Sequence, residues 1–412
     1  MIPYTEALER ILAEAPRLPG ERVRVEQALG RVLLSTFCAP HPMPRFANSA
    51  MDGYAVRSGD LASASREHPI RLRVVETVHA GQEAGRMVES GTTIGVMTGG
   101  CIPPGADAVV VKEAVARDGE WIEARAPARA GQHVRPVGGD FPAGASLLFS
   151  GTRLGSAEIG LLAYVGLEEV EVVERPRVAI LSTGDELIPP GRPPHGVEVH
   201  DSNAATLSSM ALLAGGDPVR LGLCRDNPEE LTARLARGLS CHLIVTTGGA
   251  SVGERDYQRE VLHEMGFQEI FYRVAIKPGK PVLFGRCGET LVLALPGNPV
   301  SAAVCFSLFA WPLLRAMRRR FPSVPAGWRA VAGQDLPGAE DRESFLRVHL
   351  RQDESLRLVA QLTSLDQGSG IFGSMTGAVG LARVRAGVRR VPEGDTIEVL
   401  PLLGGPMQEA VL

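Results

Sequence analysis

No cysteine in this chain stands in a Cys-x-x-Cys pair or beside histidines at the spacing of a zinc site. The six, Cys38, Cys101, Cys224, Cys241, Cys287 and Cys305, lie far apart. That argues against a disulfide scaffold, a redox dithiol and a structural zinc. They are expected to be reduced core residues, and the adjacent Cys241-His242 pair to be structural, because it opens a strand at the end opposite its loop. No segment reads as long and apolar enough to cross a bilayer. The first fifteen residues, MIPYTEALERILAEA, carry acids where a secretory signal would be basic and then apolar. Neither sign of charge is in excess: 43 Lys and Arg stand against 47 Asp and Glu, for a net charge of −4. Nothing therefore favours nucleic acid or membrane over a small molecule as partner. The expectation is a cytoplasmic protein of several domains with a sizeable core, as 412 residues allow.

What is present centres on Leu243 to Tyr257, LIVTTGGASVGERDY. An apolar β-branched run stops at a threonine pair and then Gly248-Gly249, the pattern of a buried parallel strand feeding a loop. Glycines let the backbone approach a ligand closely, and Ser251, Glu254 and Asp256 bring polar groups to the same place. The loop is neither a dinucleotide fingerprint nor a Walker loop, since Glu254 and Arg255 follow Gly253 where the Walker pattern needs Lys and then Ser or Thr. Taken alone, it reads equally well as a ligand-free strand-to-helix turn. Two further stretches share its design. VAILSTGDEL runs into Ser182-Thr183-Gly184 and then Asp185 and Glu186, and LVLALPGNPVS ends in Pro296-Gly297-Asn298-Pro299 before a helical pattern. In an open parallel sheet such loops share the carboxyl edge, where ligands bind. Three polar loops are thus expected to line one crevice.

Along the chain, Thr5 to Ala15 reads as an amphipathic helix ending before Pro16, and Val25 to Thr36 as a second. Two such helices give some support for packing against a second copy of the chain. Ala39 to Tyr54 is a proline-led loop with Asn48, Ser49 and Asp52 as its hydrogen-bonding groups. The runs RLRVVETV, TTIGVMTGG, ADAVVVKEAV and WIEARAP suggest a small β domain inserted after the first segment. Ser156 to Val165 reads as a short helix with Gly166 just beyond it. The domains read as residues 1–44 with 142–174, discontinuous and partly helical; 45–141, inserted and mainly β; 175–322, α/β around a parallel sheet; and 323–412, β. Asn227 is the expected cap of a helix opened by Pro228, with Glu230 three residues on. Arg315, Arg318, Arg319 and Arg320 end a helix, where positive charge complements the free carbonyls.

The crevice is expected to collect Asp185, Glu186, Asp201, Asp226 and Asp256, with Lys277 and Lys280 of AIKPGKP as cations. Lysines three apart in a Pro-Gly turn suit an oxyanion as point charges. Carboxylates near phosphate point to a divalent ion, and all-oxygen ligands favour magnesium over zinc. No Ser-His-Asp or Cys-His arrangement is evident, so metal-assisted chemistry at a phosphate ester fits better than covalent catalysis.

These residues resemble the MoeA family, the molybdopterin molybdotransferases, related to the E domain of gephyrin. The resemblance rests on NSAMDGYAV at Asn48, MTGG at Met97, PPGADAVV at Pro103, STGDEL at Ser182, DSN at Asp201, TTGGASVGERDY at Thr246, AIKPGKP at Ala275 and LPGNPVSA at Leu295. It covers nearly the whole length. The Gly100-Cys101 sequence after Met97-Thr98-Gly99 departs from the family pattern, and the last domain matches least. The resemblance implies an α/β plus β multidomain fold whose central domain is similar to MogA and MoaB. It implies a homodimer with shared active sites, magnesium, and insertion of molybdate into adenylylated molybdopterin with release of AMP. As catalytic positions it implies Asp52, Thr98, Glu186, Asp226 and Asp256, with Glu186, Asp226 and Asp256 on the metal. As binding positions it implies Ser182, Thr183, Gly184, Asp201, Gly248, Gly249, Ser251, Lys277, Lys280, Pro296, Gly297 and Asn298, with Arg342 and Ser369 matched more loosely. Asp52 and Thr98 would complete the crevice from the partner subunit. Partners in sequence with it would be a molybdopterin adenylyltransferase and molybdoenzyme apoproteins. The adenylylation step itself and a non-catalytic pterin-binding scaffold are the competing readings.

Overall fold

The computed structural model describes residues 1–248 and 257–405. The chain divides into two compact units, one of residues 1–34, 151–155 and 169–412, the other of residues 35–150 and 156–168.

The first unit is built on a six-stranded sheet. Its strands are β1 (Arg177–Thr183), β2 (Asp217–Cys224), β3 (Leu243–Thr247), β4 (Gln268–Tyr272), β5 (Leu283–Cys287) and β6 (Thr290–Leu295), in the order β2-β1-β3-β6-β5-β4. β1, β2, β3 and β6 pair in parallel, while β5 runs against β6 and β4 against β5. The sheet is therefore mixed where a parallel one was expected. The tight turn from Gly288 through Glu289 joins β5 to β6 as a hairpin, and a hairpin can only pair antiparallel strands. Every residue of β3 and β6 is buried, because helices cover both faces and leave no polar alternation.

Among those helices, Pro228–Gly238 is capped as expected: the Asn227 side chain accepts from the Glu230 amide at 2.9 Å. The helix Pro299–Met317 is 19 residues long and apolar enough for a membrane span, contrary to the sequence reading, but most of it is buried inside the protein as a core helix. One π turn, Phe306–Ala310, interrupts it. Its last residue is Met317, so Arg315 lies in its last turn and Arg318, Arg319 and Arg320 follow its end.

The N-terminal helix is Tyr4–Ala13, and Tyr4, Ala7, Leu8 and Ile11 are buried in its own chain. The Tyr4 ring meets Phe345 and Phe309 at centroid distances of 5.1 and 5.8 Å. The second expected helix is absent. Val25–Gln27 makes one 3₁₀ turn, Gly30 then takes φ +74°, and the Leu33 amide donates to the Thr152 carbonyl. A left-handed residue followed by an extended bridge cannot continue a helix. Support for a dimer from paired helices goes with it.

Residues beyond Pro322 supply five strands of a second six-stranded sheet. Five strands close into a ring, Glu343–Gln352, Leu358–Leu362, Trp328–Ala332, Thr396–Pro401 and Gly380–Val384, the last pairing back to the first. Ile276–Lys277 adds to Glu343–Gln352 as a short parallel strand that sets Lys277 opposite Ser344.

In the second unit, a six-stranded sheet takes the order Ala108–Val111, Gly53–Val56, Thr92–Val96, Ile70–Val78, Trp121–Ala124, Val115–Asp118. The four runs read as strands in this region all lie in it. The helix Ser156–Tyr164 follows, with Gly166 at φ +82° past its end.

All six cysteines are free, but only Cys224, Cys241, Cys287 and Cys305 are buried; Cys38 is exposed and Cys101 half-exposed. His242 accepts the Arg177 amide at its Nδ1, 2.9 Å away, and so is structural as expected.

Candidate functional site

The parallel strands end at one level. Register pairs Thr183 with Cys224, Ser182 with Thr247, and Thr247 with Leu295. The loops that follow therefore leave from one edge and enclose a cavity of about 550 Å³. Thr183, Gly184, Glu186, Asp201, Asp226, Gly248, Pro296, Gly297 and Asn298 line it, as the sequence predicts. Asn203, His200 and Pro281 also line it and were not singled out, although Asn203 stands in the Asp-Ser-Asn motif.

Hydrogen bonds fix these loops to one another. The buried Ser182 hydroxyl donates to Asp201 Oδ1 at 2.9 Å, and the same oxygen accepts the Ala204 amide at 3.0 Å. Asn203 Nδ2 donates to the Gly297 carbonyl at 2.7 Å, and Thr183 Oγ1 to the Thr247 carbonyl at 3.2 Å. Gly248 sits at φ +93°, and a Cβ there would land on the Thr183 carbonyl oxygen, so both conformation and space require glycine. Below the loop, the buried Gln258 donates to Thr246 Oγ1.

Charge in the cavity is negative. Burial, and then Asp185 and Glu186, push the Asp226 carboxyl above its ordinary range. Asp185 Oδ1 accepts the Asp226 amide at 3.2 Å, holding the two loops together. Crowded carboxylates are a fitting environment for a divalent ion with oxygen ligands. Among the described residues no group of three or more His, Cys, Asp or Glu is arranged to hold a metal by itself. The third expected ligand, Asp256, lies outside the described residues, as do Gly249 and Ser251. Against the carboxylates stand helix N-termini: Asn203–Leu213, Pro228–Gly238 and the helix from Pro299 all begin at cavity-lining residues or next to them. Such termini present unpaired amides and favour phosphate.

Lys277 does not reach this cavity. Its pairing with Ser344 carries it into a second cavity of about 270 Å³, lined also by Pro278, Arg347, Asp366, Gln367 and Gly368. Lys280 lines neither cavity, although the next residue, Pro281, lines the first. The segment 277–281 thus touches both cavities. A second link joins them: Asn298 Nδ2 donates to Ser369 Oγ at 2.8 Å. Ser369 belongs to the turn that Arg347 holds from beneath, a residue sequence reading missed. Fully buried, Arg347 donates to Ser374 Oγ and to the carbonyls of Gln367 and Gly368, at 3.0, 2.9 and 3.1 Å. Arg342 lines neither cavity and donates to Asp341 at 3.0 Å.

In the second unit, Asp52 and Thr98 meet directly. Asp52 Oδ1 accepts the Thr98 amide at 2.9 Å and its hydroxyl at 2.8 Å, while Lys112 Nζ lies 3.2 Å from Oδ2. The Thr98 amide first, then its hydroxyl and Lys112, hold the Asp52 carboxyl down at about 2. Lys112 had no motif to announce it. Only the pairing of Gly53 with Val111 sets the next residue beside Asp52.

An open, mostly parallel sheet with helix N-termini and carboxylates around a cavity at its carboxyl edge defines an α/β protein with its cleft where such folds bind ligands. The chain belongs to the MoeA family. It matches the MoeA N-terminal region (domain I and II) over residues 2–166, a probable molybdopterin binding domain over 179–316, and the MoeA C-terminal region (domain IV) over 329–402. Molybdopterin molybdenumtransferase of Synechococcus elongatus is 35% identical over 410 residues, 98% of this chain and 100% of the relative. That of Haemophilus influenzae is 32% identical, over 97% and 98%. A crystal structure of the molybdopterin biosynthesis MoeA protein from Pyrococcus horikoshii superposes with a TM-score of 0.82 at 28% identity, covering 97% of this chain and 100% of the other.

Proposed function

We propose that the chain is an enzyme of molybdenum cofactor biosynthesis, a molybdopterin molybdenumtransferase that inserts molybdate into adenylylated molybdopterin and releases AMP. The observation that carries this reading is the carboxylate-lined cavity at the ends of β1, β3 and β6, with Asp226 held among like charges and three helices beginning at the rim. In it, the Ser182–Asp201 pair and the Asn203–Gly297 bond keep the loops rigid around the pterin nucleotide, and the helix amides take its phosphates. Glu186 and Asp226, with Asp256, would hold magnesium, which would supply positive charge to the phosphoanhydride. Lys277, in the second cavity, and Ser369, bonded to Asn298, provide a place for molybdate beside the pterin end. Asp52 and Thr98, each fixed by the other, come from the partner subunit of a homodimer. The cofactor product passes to molybdoenzyme apoproteins, and an adenylyltransferase supplies the substrate.

The test is AMP release from adenylylated molybdopterin, followed by chromatography with molybdate and magnesium present, and with each left out. Release that needs both is expected. Release that proceeds unchanged without molybdate would remove metal insertion from the reaction.

A further inference from the structure

At the carboxyl end of the core helix Pro299–Met317, far along it from Asn298, lies a third cavity of about 160 Å³. Arg153, Arg175, Arg318 and Arg320 line it, with Gly30 and Trp311. Arg318 is its floor, only 4% exposed. Its Nη1 donates to the Ala214 carbonyl at 2.9 Å and its Nη2 to the Gly30 carbonyl at 2.7 Å. Its Nε is buried with no partner. The space for the guanidinium exists only because residue 215 is glycine, for a Cβ there would land on Arg318 Nη1.

Among the described residues, no carboxylate acts on the Arg318 guanidinium. Burial lowers Arg318 to about 9, and every charge acting on it is another arginine: Arg320, Arg175, Arg31 and Arg153. Arg31 has its own carboxylate in Glu21. Arg320 is likewise lowered by burial and by Arg153. Donation to free backbone carbonyls accounts for two of the neighbouring arginines, Arg315 and Arg319, on the carbonyls of Ser323 and Leu18 outside the helix. It does not explain a buried guanidinium with a spare donor facing other guanidinium groups across a cavity. Buried charges are ordinarily paired, and an unpaired one is costly.

We propose that this cavity binds a tetrahedral oxyanion of the phosphate class. Guanidinium groups present forked donors that match such oxyanions. The volume corresponds to roughly five water molecules, enough for one such group and little more. Arg318 supplies the desolvated positive floor, Arg320 the wall, and Arg175 the rim. The site lies apart from the residues proposed for the pterin nucleotide, and the inference does not depend on that reading.

The experiment is calorimetric titration of the whole chain with inorganic phosphate at low ionic strength, where screening is least. Arg318 is left intact, because it also ties Gly30 to Ala214 and its loss would disturb the fold. Arg320→Gln and Arg175→Gln are compared with Lys277→Ala, which removes the cation of the second cavity, and the melting temperature of each variant confirms that it is folded. A saturable site that the arginine changes weaken is expected. Arg320→Gln should weaken it about tenfold, the scale of a lost charge-assisted hydrogen bond, and the exposed Arg175→Gln a few-fold. Lys277→Ala should leave it unchanged. Absence of saturable binding, or binding that survives both arginine changes and is lost in Lys277→Ala, would overturn the proposal.

Discussion

At Asp226 a carboxylate is kept where its charge is unfavourable, partly desolvated though exposed, and close to Asp185 and Glu186. A carboxyl raised in the folded state stabilises the fold only while it is protonated, and that contribution is lost as pH rises through its folded value. At neutral pH, without magnesium, Asp226→Asn is therefore expected to leave the melting temperature unchanged or slightly higher. The same change should lower AMP release by about a hundredfold or more, the scale of a lost catalytic group. A marked fall in melting temperature would show that the residue serves the fold instead. Asp52 has the opposite sign. Its depressed carboxyl contributes stability that is present above the ordinary carboxylate range and is lost as pH falls toward about 2. In Thr98→Ala, which removes the hydroxyl donor and leaves the amide, the Asp52 carboxyl should titrate measurably higher by nuclear magnetic resonance. An unchanged value would mean that the hydroxyl does not hold it.

Among the elements, the turn from Asp366 to Ser369 depends on one side chain. Arg347→Met removes the donors to Ser374, Gln367 and Gly368 and leaves buried acceptors unsatisfied. Each such group costs about 1–3 kcal/mol, so a loss of a few kcal/mol in denaturant unfolding is expected. A loss within experimental error would mean that water replaces the guanidinium. This dependence shows where sequence reading stops. The strands LIVTT, VAILST and LVLAL were legible, because runs buried on both faces are continuous and apolar, and so was their common edge, because glycine and polar residues follow each run. The Asn227 cap was legible because capping is local chemistry. Lys112 beside Asp52, Arg347 beneath Ser369 and Lys277 in a strand with Ser344 were not, because each placement is set by the register of strands far apart in sequence. The false helix at Val25 to Thr36 failed on Gly30, whose left-handed backbone outweighs the spacing of the apolar residues around it.

For the molecule as a whole, the proposal of a shared site makes a demand on symmetry. If each site of a homodimer takes Asp52 from one chain and Asp226 from the other, a dimer of Asp52→Ala and Asp226→Ala chains has one doubly defective site and one intact site. Mixing the two inactive proteins under conditions of subunit exchange should restore part of the AMP release. No recovery, with mixed dimers confirmed by mass, would mean that each chain builds its own site. The bond from Asn298 to Ser369 carries a last consequence. It ties the rim of the α/β sheet to the closed ring of the C-terminal strands. A ligand that takes the Asn298 N–H now donated to Ser369 releases Ser369, and one that needs both in place must hold them together. Occupancy of the first cavity and freedom of the 366–369 turn are then two sides of one equilibrium. By thermodynamic reciprocity, whatever stiffens or loosens that turn changes pterin affinity by the same factor that the pterin changes the turn.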